Sequence, residues 1–396
     1  MTLTLLIVYS GCKEDDDTID DMSVDILIGT AYYGNFNASE IFSIPIYNSG
    51  FSDSYEAIPT GANPYPVDQF DNGNILAITR GESSVTSYNP ETGNTKLIQL
   101  EHEPRSSAFN SGNGLTLVSG KNKSMTSIIE GESIIMTVGS EVEVDQISDY
   151  GGGLATGHPK WIDESHFFHI DRANRVITIY DINGTEITSL STPTSVHHII
   201  QTNGDYYALC EGSPQNIIAP SVLKFNINND VIELVDEFSL PTGNIGAENM
   251  GAHHLDLSPN NTHIYVGSEE GRLFVIDRNT MELVQEILVG KGAGHTAFSA
   301  TDNLAIVINH NDTFISVINT NTFEVTKEII VSESEPIGSN KTIGHTFSFS
   351  PAYRTFYLSA PQDGKIIEVD LESLSVKSKL ELTENANPLQ GTYVFK

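Results

Sequence analysis

The chain has 396 residues, with 52 acidic against 20 basic side chains, a formal net charge of −32 at pH 7, and 39% hydrophobic but only 8% aromatic residues. A balance this acidic excludes nucleic acid as a partner, because that role needs a basic surface; it reads as solubility and as a general attraction for cations. The length alone would suggest two or three domains, unless a repeat architecture holds the whole chain as one.

Taken in chain order, the first element is the apolar stretch Met1–Gly11, too short for the roughly 20 residues that a membrane-spanning helix needs. It ends in Tyr9-Ser10-Gly11-Cys12, and small residues before a cysteine after an apolar run resemble a bacterial lipoprotein cleavage site. That resemblance implies a signal peptide over 1–11 and lipid attachment at Cys12. Residues 12–23 then form a tether opened by Lys13-Glu14-Asp15-Asp16-Asp17, similar to the surface-export tag of Bacteroidetes-type lipoproteins. The implied location is the bacterial cell envelope, at the outer membrane and surface-exposed, with the lipid as the sole membrane contact. Cys210 is then the lone thiol of the mature chain, so no internal disulfide is expected. In the run Tyr206–Cys210 it reads as a small buried apolar residue.

From residue 24 to 396 the pattern is all-β: apolar runs of four to seven residues alternate with turns such as Asn72-Gly73, Asn183-Gly184 and Asp363-Gly364. His254–Gly290 is the clearest unit, with strands at Leu255–Leu257, Thr262–Gly267, Arg272–Asp277 and Leu283–Val289. Four strands in about 40 residues is the period of a propeller blade. Units open near 63, 105, 158, 198, 254, 295 and 345. Residues 24–58 supply only three strands (Val24–Thr30, Glu40–Tyr47, Tyr55–Pro59), and a spare strand remains at Thr392–Phe395. An open ring would leave unpaired backbone groups, so Thr392–Phe395 is expected to become the innermost strand of the N-terminal blade. The expectation is a single eight-bladed β-propeller, with seven blades as the alternative.

Five of these units open on histidine: Gly157-His158-Pro159, Val196-His197-His198, Ala252-His253-His254, Gly294-His295-Thr296 and Gly344-His345-Thr346. Seven of the 12 histidines thus lie at blade entrances, where chance scatter would place about two. The first strand of each blade lines the axial channel, so His158, His197, His198, His253, His254, His295 and His345 are the expected metal ligands. By count, His198 and His254 share register with the single histidines. Strand alternation then turns only one of each pair to the axis, leaving His197 and His253 as second ligands or hydrogen-bonding supports. His169, His310, Glu211 and Glu248, with Glu269 and Glu270 in equivalent loops, read either as a second site or entry path or as a solvated loop rim. His102, His166 and His263 read as structural, and no catalytic residue is assigned.

Units such as Thr262–Asp277 and Phe314–Asn319 resemble the YVTN and WD40-like bacterial propeller repeats. With His197-His198, His253-His254 and the single axial histidines, the ring is similar to the AztD-type periplasmic zinc metallochaperones, which deliver zinc to the binding protein of an importer. This resemblance implies a metal-binding envelope protein that captures or transfers zinc, with copper as the alternative ion and a metal-uptake binding protein or receptor as partner. Nitrous oxide reductase, whose propeller carries a copper–sulfide cluster on histidines, is the second resemblance. It implies a metalloenzyme, as do the four-histidine iron site of carotenoid oxygenases and the axial histidine of virginiamycin B lyase-like propellers. A non-metal interaction platform is the third reading. Zinc is preferred because the mature chain offers no methionine-rich or thiolate copper motif.

Overall fold

A computed structural model describes residues 25–69, 73–143, 149, 153–301, 303–337 and 340–396. The expected signal segment, Cys12 and the acidic tether lie outside the described residues. Among the described residues, thirty-two strands form eight four-stranded antiparallel sheets, and the protein is an eight-bladed β-propeller.

Seven sheets are consecutive meanders: residues 64–99, 104–143, 160–191, 196–239, 252–288, 293–330 and 347–381. The eighth joins the termini. β1 (Leu27–Asn35), β2 (Glu40–Tyr47) and β3 (Glu56–Pro59) are completed on the inner side by β32 (Pro388–Phe395). The terminal strand pairs antiparallel with β1 from Gly29↔Phe395 to Asn35↔Pro388. It starts four residues earlier than the run Thr392–Phe395, and β1 continues past the expected end at Thr30. The extension carries Ala31, Tyr32 and Tyr33, all buried in the adjoining cores.

The cores lie between blades. Ile306, Ile308, Ile315 and Val317 of one sheet interdigitate with Phe356, Leu358, Ile367 and Val369 of the next. Middle strands are covered on both faces and therefore read as continuous apolar runs such as Ala305–Ile308. The outermost strands have one neighbour, so Leu283, Val284 and Leu288 stay exposed. Cys210 sits in the core between two blades, and burial pushes its thiol up to about 12.

Candidate metal centre

A repeated backbone hydrogen bond fixes the register at the channel mouth. The residue following each blade's second strand donates its N–H to the carbonyl that opens the innermost strand. The pairs are Phe36 to Asn387, Arg80 to Asn63, Lys121 to Glu103, Arg172 to Ala155, Glu211 to Ser195, Glu269 to Gly251 and His310 to Gly292, at 2.6–3.1 Å. In the remaining blade the position falls on Pro361, which has no N–H to give. His310 and Glu211 therefore belong to one ring of side chains, together with Arg80, Lys121, Arg172 and Glu269. His169 does not: it precedes Arg172 by three residues and lies within its strand.

Two and three residues beyond those carbonyls the chain reaches the axis. The first of these positions holds Leu389, Tyr65, Arg105, Gly157, His197, His253, Gly294 and Gly344; the second includes Gln390, His158, His198, His254, His295 and His345. Strand register slips at this point between Pro64/Val67, Pro104/Ser106, Val196/Ile199, Ala252/Leu255 and Ala293/Thr296. A bulge of this kind suspends strand alternation. Both members of His197-His198 and of His253-His254 consequently turn inward, where alternation would have allowed one of each.

The result is a continuous cluster of eight imidazoles, the seven blade-entrance histidines plus His310. His254 stacks on His295 at 3.5 Å between ring centroids, and His310 on His345 at 4.1 Å. Two groups have donor nitrogens within 4.8 Å of one another: His158, His197 and His254, and beside them His253, His310 and His345. They adjoin through His197 and His253, whose rings are 4.8 Å apart.

The donors are oriented for an ion. Nδ1–H of His197 faces Oε1 of Glu211 at 2.7 Å, and the other oxygen of that carboxylate is held by Arg172. Nδ1–H of His310 donates to the Ile343 carbonyl at 2.9 Å. In both rings the Nε2 atom is buried and meets no protein partner. A carboxylate or carbonyl behind an imidazole, with the far nitrogen free, is the usual outer arrangement of a metal-ligating histidine. Nε2 of His253 and Nε2 of His345 lie 3.3 Å apart, which matches the roughly 3.3 Å edge of a tetrahedron with metal–nitrogen bonds of about 2.0–2.1 Å. His345 is steadied by Tyr65, 3.3 Å from Nδ1. Burial holds His158, His197, His253, His254, His310 and His345 well below the usual imidazole range, so all six are neutral donors at pH 7. His198 is pushed down to about 4 by burial and donates through Nε2 to the Leu255 carbonyl at 3.0 Å. His198 and His295 flank the two groups without entering either.

Of the remaining candidates, Glu269 adjoins the cluster and the others lie elsewhere. His169 is sealed between blades, bonded to Thr126 at 2.9 Å through Nδ1 and to Ser124 at 3.4 Å through Nε2. Glu248 sits on the exposed turn Ala247–Asn249 and does not line the central cavity. Glu269 stands 3.8 Å from both His253 and Lys341, while Glu270 is engaged by Arg272. His102 bonds Ser127, His166 pairs with Asp163, and His263 packs on Phe323. Sequence reasoning missed the basic side chains of the same rings, Arg80, Arg105 and Arg172, although the register count that located the histidines also passes through them.

Buried neutral histidines set a pH dependence, and those outside the cluster add to the one that the cluster itself gives. Burial holds His102 and His169 at about 4, below the unfolded value near 6.5. Between those values the unfolded chain binds more protons, so stability present above about pH 6.5 is lost as the pH falls toward 4. Two such groups add a slope of at most about 3 kcal/mol per pH unit inside that window. Urea unfolding of metal-free protein at pH 7, 6 and 5 should show a falling midpoint; an unchanged midpoint would contradict the buried neutral state of both.

No protein-family model and no curated protein matches the sequence. Among solved structures, apo AztD from Citrobacter koseri superposes with a TM-score of 0.64 at 12% identity, covering 94% of this chain and 99% of that one. Dihydro-heme d1 dehydrogenase NirN, in complex with DHE, gives 0.62 at 15% identity over 92% of this chain and 75% of that chain. The computationally designed Ika8 protein gives 0.58 at 13% identity over 84% and 96%. The likeness to AztD read from the sequence therefore holds at the level of the fold, which the three structures share.

Proposed function

We propose that this propeller is a metal-capture protein whose cargo is zinc, bound at two adjoining three-histidine sites at the channel mouth and passed on to an uptake protein. The observation that carries the reading is the pair of neutral three-imidazole groups, each with donor atoms within 4.8 Å. Three protein nitrogens leave one position of a zinc tetrahedron open, which lets an incoming donor attach before the first set lets go. Copper remains the alternative ion, since imidazole also suits it. The small-residue and cysteine sequence at Ser10-Gly11-Cys12 supports a lipid-anchored location in the bacterial envelope.

The metalloenzyme reading shares the open position, but the carboxylates nearest the triads are already engaged. Glu211 is bound by Arg172 and His197, Glu269 beside His253 accepts from the Asn311 amide at 2.8 Å, and Asp256 accepts the Thr296 N–H at 2.7 Å. A hydrolytic site would need one of them as a proton acceptor. The test is elemental analysis and chelator-competition titration of untagged protein, with two zinc ions per chain expected. Protein that takes up no ion under saturating zinc would end the proposal.

A further inference from the structure

We infer that the central cavity also binds a small tetrahedral oxyanion of the sulfate or phosphate class, held by the guanidinium of Arg105 beside the first histidine group. This goes beyond the metal reading and does not depend on it. The cavity measures about 460 Å³; Arg80, Arg105 and Lys160 line it together with the histidines.

Arg105 occupies the ring position that His197 and His253 take in their own blades, so its side chain enters the channel at the same level. It is 2% exposed, and its Nε and Nη1 atoms have no acceptor among the described residues. A guanidinium does not shed its proton to escape burial, so its charge calls for an anion. The neighbouring side chains increase that demand. Arg80 donates from Nε and Nη2 to the Arg105 carbonyl at 3.1 and 2.8 Å and lies over the Tyr65 ring at 4.0 Å, so a second cation is fixed against the first. Arg172 adds a third charge from the next blade, and Arg105 feels it together with Glu211.

The acids nearby are committed. Glu211 is bound by Arg172 and His197, Glu103 pairs with Lys121 at 2.8 Å, and Asp256 holds the Thr296 N–H. Glu211 is shared between Arg172 and Arg105, which leaves positive charge in excess; buried excess charge is unfavourable, and a planar guanidinium fork suits two oxygens of one anion. Adding a divalent ion to neutral imidazoles would raise the local positive charge further, so anion and metal should favour each other's binding.

The test uses full-length, metal-free protein at constant ionic strength in chloride, titrated calorimetrically with sulfate and with phosphate. Saturable one-to-one binding of either is expected, weakened about tenfold or more in Arg105→Gln and unchanged in Lys327→Gln on an exposed outer strand. Absence of saturable binding, or equal affinity in Arg105→Gln, would overturn the inference. Should Arg105→Gln fail to fold, selenate soaked into wild-type crystals decides: an anomalous peak within hydrogen-bond distance of Arg105 supports the site, and a cavity without one overturns it. Anion binding that survives in protein unable to take up zinc supports this site while removing the metal reading. Zinc uptake without anion binding does the reverse.

Discussion

Alanine at both His158 and His254 is expected to reduce tightly bound zinc from two ions per chain to one, and Gly294→Ala to remove the other ion. The first pair leaves His197 as the lone donor of its group, since the three nitrogens belong to His158, His197 and His254. Loss of a single outer partner of a ligand costs about 10–100-fold in metal affinity; loss of two ligands should exceed about 100-fold. Gly294 acts differently. It has no side chain where the two preceding blades carry His197 and His253, and a Cβ there would lie 2.4 Å from Nε2 of His310. Alanine therefore displaces a ligand of the second group without removing any ligand. The readout is zinc stoichiometry with a competing chelator, alongside a thermal melt to show that the ring is intact. His166→Ala with His263→Ala, remote from the cluster, should retain both ions. If that control loses as much zinc as the other two, the assignment of ligands is wrong.

Truncation after Asn387 should abolish cooperative unfolding or lower the thermal midpoint by more than about 10 °C. The deletion removes β32, the inner strand of the blade that joins the two ends of the chain. It exposes the inner edge of β1, with its row of unpaired backbone groups. It also strips Tyr393 and Phe395 from the core that holds Tyr33, Phe42 and Tyr357, and breaks the 2.6 Å contact between the Tyr33 and Tyr393 hydroxyls. Each large apolar side chain contributes about 1.5–3 kcal/mol on burial, against a total stability of about 5–15 kcal/mol for a typical domain. Circular dichroism melts and size-exclusion chromatography measure the outcome. A synthetic peptide spanning 388–396 added in trans should recover part of the loss. A truncated chain melting at the wild-type midpoint would mean that ring closure rests on something other than this strand.

The histidines show how far local pattern carries and where it stops. A blade is a local unit, about 40 residues of strands and turns, so its period and the recurrence of histidine at its entrance are visible along the chain. The requirement that a ring pair its last strand with its first follows from backbone hydrogen bonding alone, which is why Thr392–Phe395 could be placed from the far end of the sequence. His169 and His310 look alike in sequence, each near the end of a second strand. Three residues of register separate them in effect: one is sealed against Thr126 and Ser124, while the other turns into the channel. Arg105 carried no signal of its own, because an arginine at a blade entrance is unremarkable until its neighbours are known to leave two of its nitrogens without acceptors.

By itself the sequence determined the all-β class, the blade period, the closing strand and the seven blade-entrance histidines, because each depends on periodicity or on pairing that neighbouring residues specify; the count of eight over seven was settled by the sheets themselves. Only the tertiary structure decided how those histidines divide. The bulges in the inner strands that carry His197-His198 and His253-His254 turn both members of each pair inward, and the glycine at 294 makes room for His310. The grouping of His158 with His197 and His254, and of His253 with His310 and His345, joins residues up to 96 positions apart, from His158 to His254. That grouping rests on the rotation of one blade against the next, which no local pattern encodes.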